Sequence, residues 1–305
     1  MNRNVFRAYY VWPDFPSISI SGEACALNCP HCGRIYLKDM MPATGPEQLV
    51  ELCGSLKEDG AKGVLLSGGC DEQGRMLNLE KMLPAIRKVH DMGLIIKLHT
   101  GFVDMKLARR IADAGVDIAS MEMVGDSKTI KKIFGIDATA EDYLETFRNL
   151  WNAGIPHVCP HICVGLDEGK LKGEITALQM LKTAGEPSTI AIIVLRPTKG
   201  TKLADIRPPT GEDVEKVVSH ARKLFPRTKL ILGALRPRGS ELKGRLAERV
   251  DIELGAMEGG IDGAEVPSKE MLADAVSRGR EIRRIRAFGV LPAEYENRVS
   301  AETQA

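Results

Sequence analysis

Short apolar runs rich in β-branched residues alternate with amphipathic segments along the chain from residue 17. Eight such runs predict strands, at 17–21, 63–68, 94–100, 116–124, 157–165, 189–197, 229–237 and 261–267. Between them, apolar residues recur at spacings of three and four, as at Leu49, Leu52 and Leu56, which predicts amphipathic helices. Gly60 and Gly115 follow two of these helices, where a left-handed residue ends a helix. Regular β/α units predict a complete (β/α)8 TIM barrel.

The barrel accounts for most of the chain. We expect it to span residues 17–280, since 305 residues with 44% hydrophobic content suffice for one such domain. Residues 1–16 are expected to form a lead-in packed across the bottom of the barrel. Residues 281–305, near the sequence REIRRIR, are expected to form a C-terminal helix and a polar tail.

Charge and cysteine content narrow the function classes. Lys and Arg (42) nearly balance Asp and Glu (41), so neither nucleic acid nor an acidic membrane surface is an expected partner. No apolar run approaches the ~20 residues of a membrane span, and the first residues lack the apolar core of a signal peptide. Three of the seven cysteines fall within eight residues, which suits metal binding better than disulfides. We therefore expect a cytoplasmic protein.

The cysteine group Cys25-Ala-Leu-Asn-Cys29-Pro-His-Cys32 directly follows the first predicted strand. Barrel active sites lie at this end of the strands. Three thiolates can hold three irons of a 4Fe-4S cluster and leave the fourth iron open to the amino and carboxylate groups of S-adenosylmethionine (SAM). The alternative is a structural zinc site, which needs four ligands, and the sequence has no second cysteine pair to supply them.

This motif resembles the CxxxCxΦC signature of the radical SAM superfamily. His31 fills the aromatic position, which the resemblance places near the adenine of SAM; the alternative is a loop histidine bonded to backbone. The segment Leu66-Ser67-Gly68-Gly69 resembles the glycine-rich motif of the family. The resemblance implies that Ser67, Gly68 and Gly69 bind the amino group of SAM.

Two further segments concern the cofactor. Ser120 and Glu122 share one face of strand four, where Glu122 is predicted to bind the ribose or else to pair with Lys97 or Arg196. The segment from Cys163 to Glu168 resembles the adenine-contacting segment of the family, which implies a cofactor contact for Cys163.

Basic side chains lie at the carboxyl ends of two other predicted strands. Arg196 and Arg236 end strands six and seven, and we expect at least one of them to bind a carboxylate of the cofactor or substrate, with rim salt bridges as the alternative. His99 and His161 are predicted to point into the barrel, either toward substrate or as core histidines.

Within the superfamily, residues 81–268 resemble biotin synthase and its relatives, including subunits of two-component lipoyl synthases. Biotin synthases hold a second cluster through three cysteines and an arginine, and this chain keeps only Cys159 of those cysteines, with Leu66 and Lys97 at the other two places. The sequence therefore leaves open whether the chain also binds an auxiliary iron-sulfur cluster.

Two cysteines outside the motif are predicted to be catalytic. Cys70 follows the glycine pair and could approach an auxiliary cluster, donate sulfur or donate a hydrogen atom. Cys159 lies deeper and about 13 Å from Cys163 along one strand, too far to share a cluster unless the strand breaks at Pro160. Cys53 is predicted to be a core residue.

The resemblance implies sulfur insertion at an unactivated C–H bond, as in lipoyl and biotin synthesis. The implied partners are a low-potential electron donor (ferredoxin or flavodoxin), a second radical SAM subunit and a lipoyl carrier protein. One alternative is rearrangement or cleavage of a carbon skeleton, as in methylornithine synthase or hydrogenase maturation enzymes. The other is a non-catalytic, cluster-bearing assembly subunit.

Overall fold

A computed structural model describes residues 4–238, 246–299 and 301–304. The strands in these ranges are β1 (Val5–Tyr9), β2 (Ser17–Ser19), β3 (Met41–Pro42), β4 (Gly63–Ser67), β5 (Ile95–His99), β6 (Ile118–Glu122), β7 (His157–Val164), β8 (Thr189–Val194), β9 (Lys229–Leu232), β10 (Gly263–Glu265), β11 (Glu281–Ile285) and β12 (Ala301–Gln304). The eight predicted strands correspond to β2 and β4–β10, in the predicted order.

The helices cover one face of the sheet. They are α1 (Ile35–Lys38), α2 (Pro46–Glu58), α3 (Leu79–Asp91), α4 (Met105–Asp113), α5 (Ser127–Phe134), α6 (Ala140–Asn152), α7 (Glu174–Ala184), α8 (Gly211–Leu224), α9 (Leu246–Glu258) and α10 (Lys269–Ser277), followed by a 3-10 helix at Ala293–Arg298. Capping boxes begin α6 and α8, where Thr139 and Thr210 pair with an aspartate three residues later. Cys53 on α2 is fully buried, so its prediction as a core residue is confirmed. In the described ranges, no helix is both long enough and apolar enough to cross a membrane.

All strands belong to one curled sheet, in the order β12-β11-β1-β10-β9-β8-β7-β6-β5-β4-β2-β3. Eleven strands are parallel, and β12 runs antiparallel to β11. Strand β10 pairs with β1 and β9, and among the described residues no ladder joins β10 to β2. The structure is an α/β half-barrel, and ring closure into a complete (β/α)8 barrel is not confirmed.

Both termini differ from the sequence-based expectation. The lead-in contains β1, which lies within the sheet between β10 and β11, and the segment expected to begin a C-terminal helix is strand β11. The helix prediction was wrong because the spacing of Ile282 and Ile285 also fits a helix, whereas the partner strand lies far away in the sequence. Arg7 and Arg283 are register partners, and buried Glu296 contacts each guanidinium at 3.0 Å.

Residues 286–299, here called the floor segment, fill the lower part of the concave face. Phe288 packs edge-on against Phe15, with ring centroids 5.3 Å apart, and the Lys97 amine lies 4.8 Å from its ring centre. The Tyr295 hydroxyl donates to Asp117 at 3.0 Å. The same apolar cluster includes side chains from seven strands: Tyr9, Ile95, Ile118, Cys159, Ala191, Ile231 and Ile285. The sheet therefore curls around the floor segment, which leaves the carboxyl ends of β4–β6 open to a cavity.

Candidate active site

Residues 25–32, here called the cysteine loop, connect β2 to α1 and lie against the end of β4. The Cys32 and Gly33 N–H groups donate to the Cys29 carbonyl at 3.0 and 2.9 Å, which forms the turn that carries the last two cysteines. The Cys70 N–H donates to Cys25 Sγ at 3.3 Å, and the Ala26 N–H donates to the Cys70 carbonyl at 2.7 Å. These contacts fix the loop and place the Cys70 backbone beside Cys25.

Gly69 is the point of closest approach between β4 and the cysteine loop. A Cβ atom at this position would lie 2.1 Å from the Ala24 carbonyl oxygen and 2.4 Å from Cys25 Cβ. The Gly69 N–H also donates to Ser21 Oγ at 2.7 Å. Glycine is required here because the backbone of the loop occupies the space of a side chain.

The thiols of the cysteine loop disfavour one another's ionisation. Burial, followed by the neighbouring Cys32, Cys25 and Cys70 groups, raises the pKa of Cys29 to about 12. Burial also raises the pKa of Cys32. Thiolates crowded in this way need a metal centre to compensate their charge. The donor set therefore fits an iron-sulfur cluster.

The loop forms one wall of a cavity of about 250 Å³, here called the mouth cavity. The predicted site residues that line it are Cys25, Cys29, His31, Cys32, Ser67, Gly68, Gly69, Cys70 and Glu122. Apolar side chains such as Met121, Phe134 and Tyr143 complete the wall. The described lining does not include Cys159, Cys163 or Arg196.

His31 extends from the loop toward α5. Its ring meets Phe134 edge-on, with centroids 5.9 Å apart, and its Nδ1 atom is buried without a hydrogen-bond partner among the described residues. Burial lowers the pKa of His31 below 6.5, and nearby Glu122 only partly opposes this shift. The imidazole is thus neutral at physiological pH.

The glycine-rich segment uses most of its carbonyl groups within the protein. The Ser67, Gly69 and Cys70 carbonyls accept from Ile20, Leu77 and Ala26 at 2.8, 3.0 and 2.7 Å. The Gly68 carbonyl has no such bond to the described residues. It is therefore the carbonyl of this segment that can accept a ligand N–H group.

Glu122 lies between two histidines. Its Oε1 atom is 3.6 Å from His99 Nε2 and 4.0 Å from His161 Nδ1. The predicted inward orientation of both histidines is confirmed, and Glu122 also lies close enough to buried Lys97 to oppose the lowering of the Lys97 pKa by burial. Burial and the nearby His99 and Lys97 hold the pKa of His161 well below 6.5.

A sequence profile of the Radical SAM superfamily matches residues 19–170, which contain the cysteine loop, the glycine-rich segment and Glu122. The chain belongs to the radical SAM superfamily.

This radical SAM protein is 25% identical to biotin synthase from Coxiella burnetii over 285 residues, which cover 91% of this chain and 85% of that enzyme. Its fold is similar to that of HydG, a maturase of the [FeFe]-hydrogenase, with a TM-score of 0.62 and 17% identity over 86% of this chain and 57% of HydG. It is also similar to that of methylornithine synthase (PylB), with a TM-score of 0.61 and 18% identity over 87% of this chain and 73% of PylB. Membership of the superfamily implies a 4Fe-4S cluster and SAM, and enzymes of the superfamily need a reductant.

The two cysteines of β7 lie apart in the radical SAM protein. The strand runs unbroken through Pro160, so Cys159 and Cys163 remain about 13 Å apart. Cys159 is 2% exposed and packs with the floor segment. Burial and Glu122 raise the pKa of Cys163 well above 9.

The predicted arginines have different environments in the radical SAM protein. Arg236 is fully buried, and its guanidinium donates to Glu253 and to the Gly233, Glu265 and Val266 carbonyls. It has a structural role and cannot bind a ligand carboxylate. Arg196 lies two residues before Thr198, whose hydroxyl group is 2.7 Å from the Tyr36 hydroxyl on α1. Arg196 is thus close to the helix that follows the cysteine loop.

Sequence reasoning missed several side chains around the site of the radical SAM protein. Tyr143 and Phe134 reach the mouth cavity from helices expected only to cover the barrel. Phe288, Val290 and Leu291 stand in a segment expected to be a polar tail. Their apolar character was the available signal that this segment is buried.

Proposed function

We propose that this radical SAM enzyme cleaves SAM and abstracts a hydrogen atom from an unactivated C–H bond of a substrate held in the mouth cavity. The observation that carries the proposal is that the three loop cysteines, the glycine-rich segment and Glu122 line one cavity. These groups come from the cysteine loop, β4 and β6, and only the fold brings them together.

In this proposal Cys25, Cys29 and Cys32 hold a 4Fe-4S cluster. When bound, the cluster would supply the electron that breaks the sulfonium C–S bond of SAM and yields a 5′-deoxyadenosyl radical. The Cys70 N–H donates to Cys25 Sγ at 3.3 Å and thereby stabilises negative charge on that ligand.

The side chains around the cavity bind and orient SAM. The Gly68 carbonyl accepts from the amino group, and Ser67 and Gly69 shape the adjoining backbone. Glu122 accepts a ribose hydroxyl. Neutral His31 contacts the adenine. Cys163 and Arg196 lie outside the described lining of the cavity and have the further proposed roles of contacting the adenine and binding the carboxylate. Met121, Phe134 and Tyr143 keep water from the reacting atoms.

Cys70 acts on the substrate radical in this proposal. Burial and the neighbouring Cys25 raise the pKa of Cys70 to about 12, so the sulfur stays protonated. Its S–H group can transfer a hydrogen atom to a substrate radical and leave a thiyl radical, which an external electron and a proton return to the thiol.

The fate of the substrate radical distinguishes two candidate reactions. Sulfur insertion, as a lipoyl synthase-like subunit, draws support from Cys70 in the mouth cavity as a sulfur-bearing group. Rearrangement or cleavage with a single cluster draws support from the three positions that resemble the second-cluster cysteines of biotin synthases. Leu66 packs in the core between sheet and helices, Lys97 lies against Phe288, and Cys159 packs with the floor segment.

Anaerobic iron and sulfide analysis with electron paramagnetic resonance (EPR) tests this proposal. We expect about four irons per chain, a reduced-state EPR signal that SAM changes, and loss of both in the variant Cys25→Ala/Cys29→Ala/Cys32→Ala. Cys53→Ala is the matched control, because this thiol lies in the core on α2. Absence of 5′-deoxyadenosine from the reduced, cluster-loaded protein with SAM would contradict the proposal and favour the assembly-subunit alternative.

The same measurement separates the two reactions. Iron and acid-labile sulfide that survive together in the triple variant, with an iron-sulfur EPR signal, would establish an auxiliary cluster and favour sulfur insertion. That reaction is then tested with an octanoyl-lysine peptide, the second radical SAM subunit and a ferredoxin or flavodoxin. If all acid-labile sulfide and the iron-sulfur EPR signal are lost, single-cluster chemistry is favoured.

A further inference from the structure

Three side chains with metal-binding atoms meet below the cysteine loop. His99, Glu122 and His161 come from the consecutive strands β5, β6 and β7, and all three face the concave side of the sheet. The register pairs Glu122 with His161 and His99 with Ser120, so His99 and Glu122 are diagonal neighbours. One ligand atom from each side chain lies within 4.8 Å of the other two.

The spacing of these atoms is wider than hydrogen bonding requires. Glu122 Oε1 faces both rings, at 3.6 Å from His99 Nε2 and 4.0 Å from His161 Nδ1. Ligands about 2.1 Å from one tetrahedral metal ion are about 3.4 Å apart, so small side-chain movements would bring this set to bonding distance. The three atoms therefore surround a space of the size that a transition-metal ion occupies.

The ring of His161 is shielded from solvent. His161 is only 8% exposed, and its Nε2 atom is buried without a hydrogen-bond partner among the described residues. The two rings meet edge to face, with centroids 4.9 Å apart. His161 Nδ1, which lies 4.0 Å from Glu122 Oε1, is the nitrogen that can bind the metal ion, while Nε2 points away from it.

We propose that His99, Glu122 and His161 bind one divalent transition-metal ion. Two imidazoles and one carboxylate form the donor set that suits Fe²⁺, Zn²⁺ or Mn²⁺ and leaves coordination positions open. His99 and Glu122 line the mouth cavity, so the open positions face the space in which a substrate binds. They accept water or an oxygen donor of the substrate, such as a carboxylate or hydroxyl group.

The metal site is compatible with the proposed ribose contact of Glu122. A carboxylate has two oxygen atoms, and Oε1 faces the histidines, so the other oxygen can accept a ribose hydroxyl. Lys97 lies two residues before His99 on β5, and its amine contacts the Phe288 ring in the layer below. This lysine separates the metal site from the floor segment.

Metal titration of the cluster-loaded protein tests the site. Mn²⁺ is added anaerobically with the cluster oxidised and EPR-silent, and free Mn²⁺ is measured by its six-line EPR signal. Zn²⁺ is measured separately by equilibrium dialysis and elemental analysis. We expect one site per chain, and binding at least about 100-fold weaker in His99→Gln and Glu122→Gln, because even the outer partners of metal ligands contribute 10–100-fold to affinity.

His90→Gln is the matched control, since His90 Nδ1 also lies near a carboxylate, 3.9 Å from Asp117, but outside the cavity. We expect this variant to bind both metals like the wild type. The proposal is overturned if the wild type binds neither metal at millimolar concentration. It is also overturned if His99→Gln and Glu122→Gln bind as tightly as the wild type, in which case the three groups contact substrate without a metal. Iron and sulfide content, measured on the same samples, reports separately on the cluster.

Discussion

Replacing Gly69 with alanine should displace the cysteine loop. The added Cβ would lie 2.1 Å from the Ala24 oxygen, while real Cβ contacts below 3.0 Å are essentially absent, so the loop must move by about 1 Å. That movement breaks the bond from the Cys70 N–H to Cys25 Sγ and the bond from the Gly69 N–H to Ser21 Oγ. Each broken bond that leaves a buried group unpaired costs about 1–3 kcal/mol, so we expect a loss of about 2–6 kcal/mol in the free energy of unfolding.

The assay measures cluster content and stability in the same preparation. Anaerobically reconstituted Gly69→Ala should hold less than half of the iron and sulfide of the wild type, with a correspondingly smaller reduced-state EPR signal. Urea unfolding of the cluster-free protein gives the change in stability. The matched control is Gly54→Ala, in the interior of α2, where a Cβ would meet nothing within 4 Å.

Gly54→Ala should keep the full iron content and gain about 0.5–1 kcal/mol, because alanine favours a helix more than glycine does. The reasoning about the close approach at Gly69 is refuted if Gly69→Ala assembles the wild-type amount of cluster with unchanged stability.

Three further predictions concern stability. Burial lowers the pKa of His31 below 6.5, so at lower pH the unfolded chain binds a proton that the folded chain does not, and stability falls as the pH falls. His31→Phe should reduce the slope of the free energy of unfolding against pH, measured by urea unfolding, by up to about 1.4 kcal/mol per pH unit. Arg236→Met removes the 2.6 Å partner of fully buried Glu253, which keeps Arg249 at 3.0 Å, and also removes the donor to three carbonyl groups, so it should cost about 3–5 kcal/mol in the same assay. Phe288→Ala removes a ring buried against Phe15 and should cost about 3–5 kcal/mol, measured as a shift in the urea midpoint.

Two surface variants serve as controls for the buried substitutions. Arg278→Met disrupts a surface pair with Glu258 and should cost less than about 1 kcal/mol. Val276→Ala, at a side chain 58% exposed, should change stability by less than about 0.5 kcal/mol. Equal losses in the buried variants and these references would show that the buried contacts contribute no more than surface contacts. An unchanged pH slope in His31→Phe would assign acid sensitivity to other groups.

The sequence was sufficient for what depends on local pattern. Eight strands and their order followed from β-branched runs, and Cys25, Cys29 and Cys32 form a motif eight residues long. It was insufficient where the local structure depends on pairing with a strand that is far away in the sequence. Whether 281–285 forms a helix or a strand depends on pairing with β1. That same pairing inserts β1 beside β10, so ring closure could not be predicted from the eight runs alone.

The site shows the same division between local and distant information. Alternation along β5 and β7 correctly placed His99 and His161 on the concave face, but their meeting at Glu122 depends on the register of three strands. Arg236 was one of two arginines of which at least one was expected to bind a carboxylate, because the strand ends on a barrel rim are near the active site. Its actual partner, Glu253, lies on a later helix with no recognisable spacing relation to it.

The floor segment has a consequence for how the chain folds during synthesis. Strand β1 leaves the ribosome long before its neighbours β10 and β11 and the floor segment, as the contact between Arg7 and Glu296, 289 positions apart, illustrates. Contacts of such long range slow folding. The cysteine loop and the end of β4, by contrast, are only 45 positions apart at Cys25 and Cys70. The nascent chain can therefore form the cysteine loop while the concave face below it is still open to solvent.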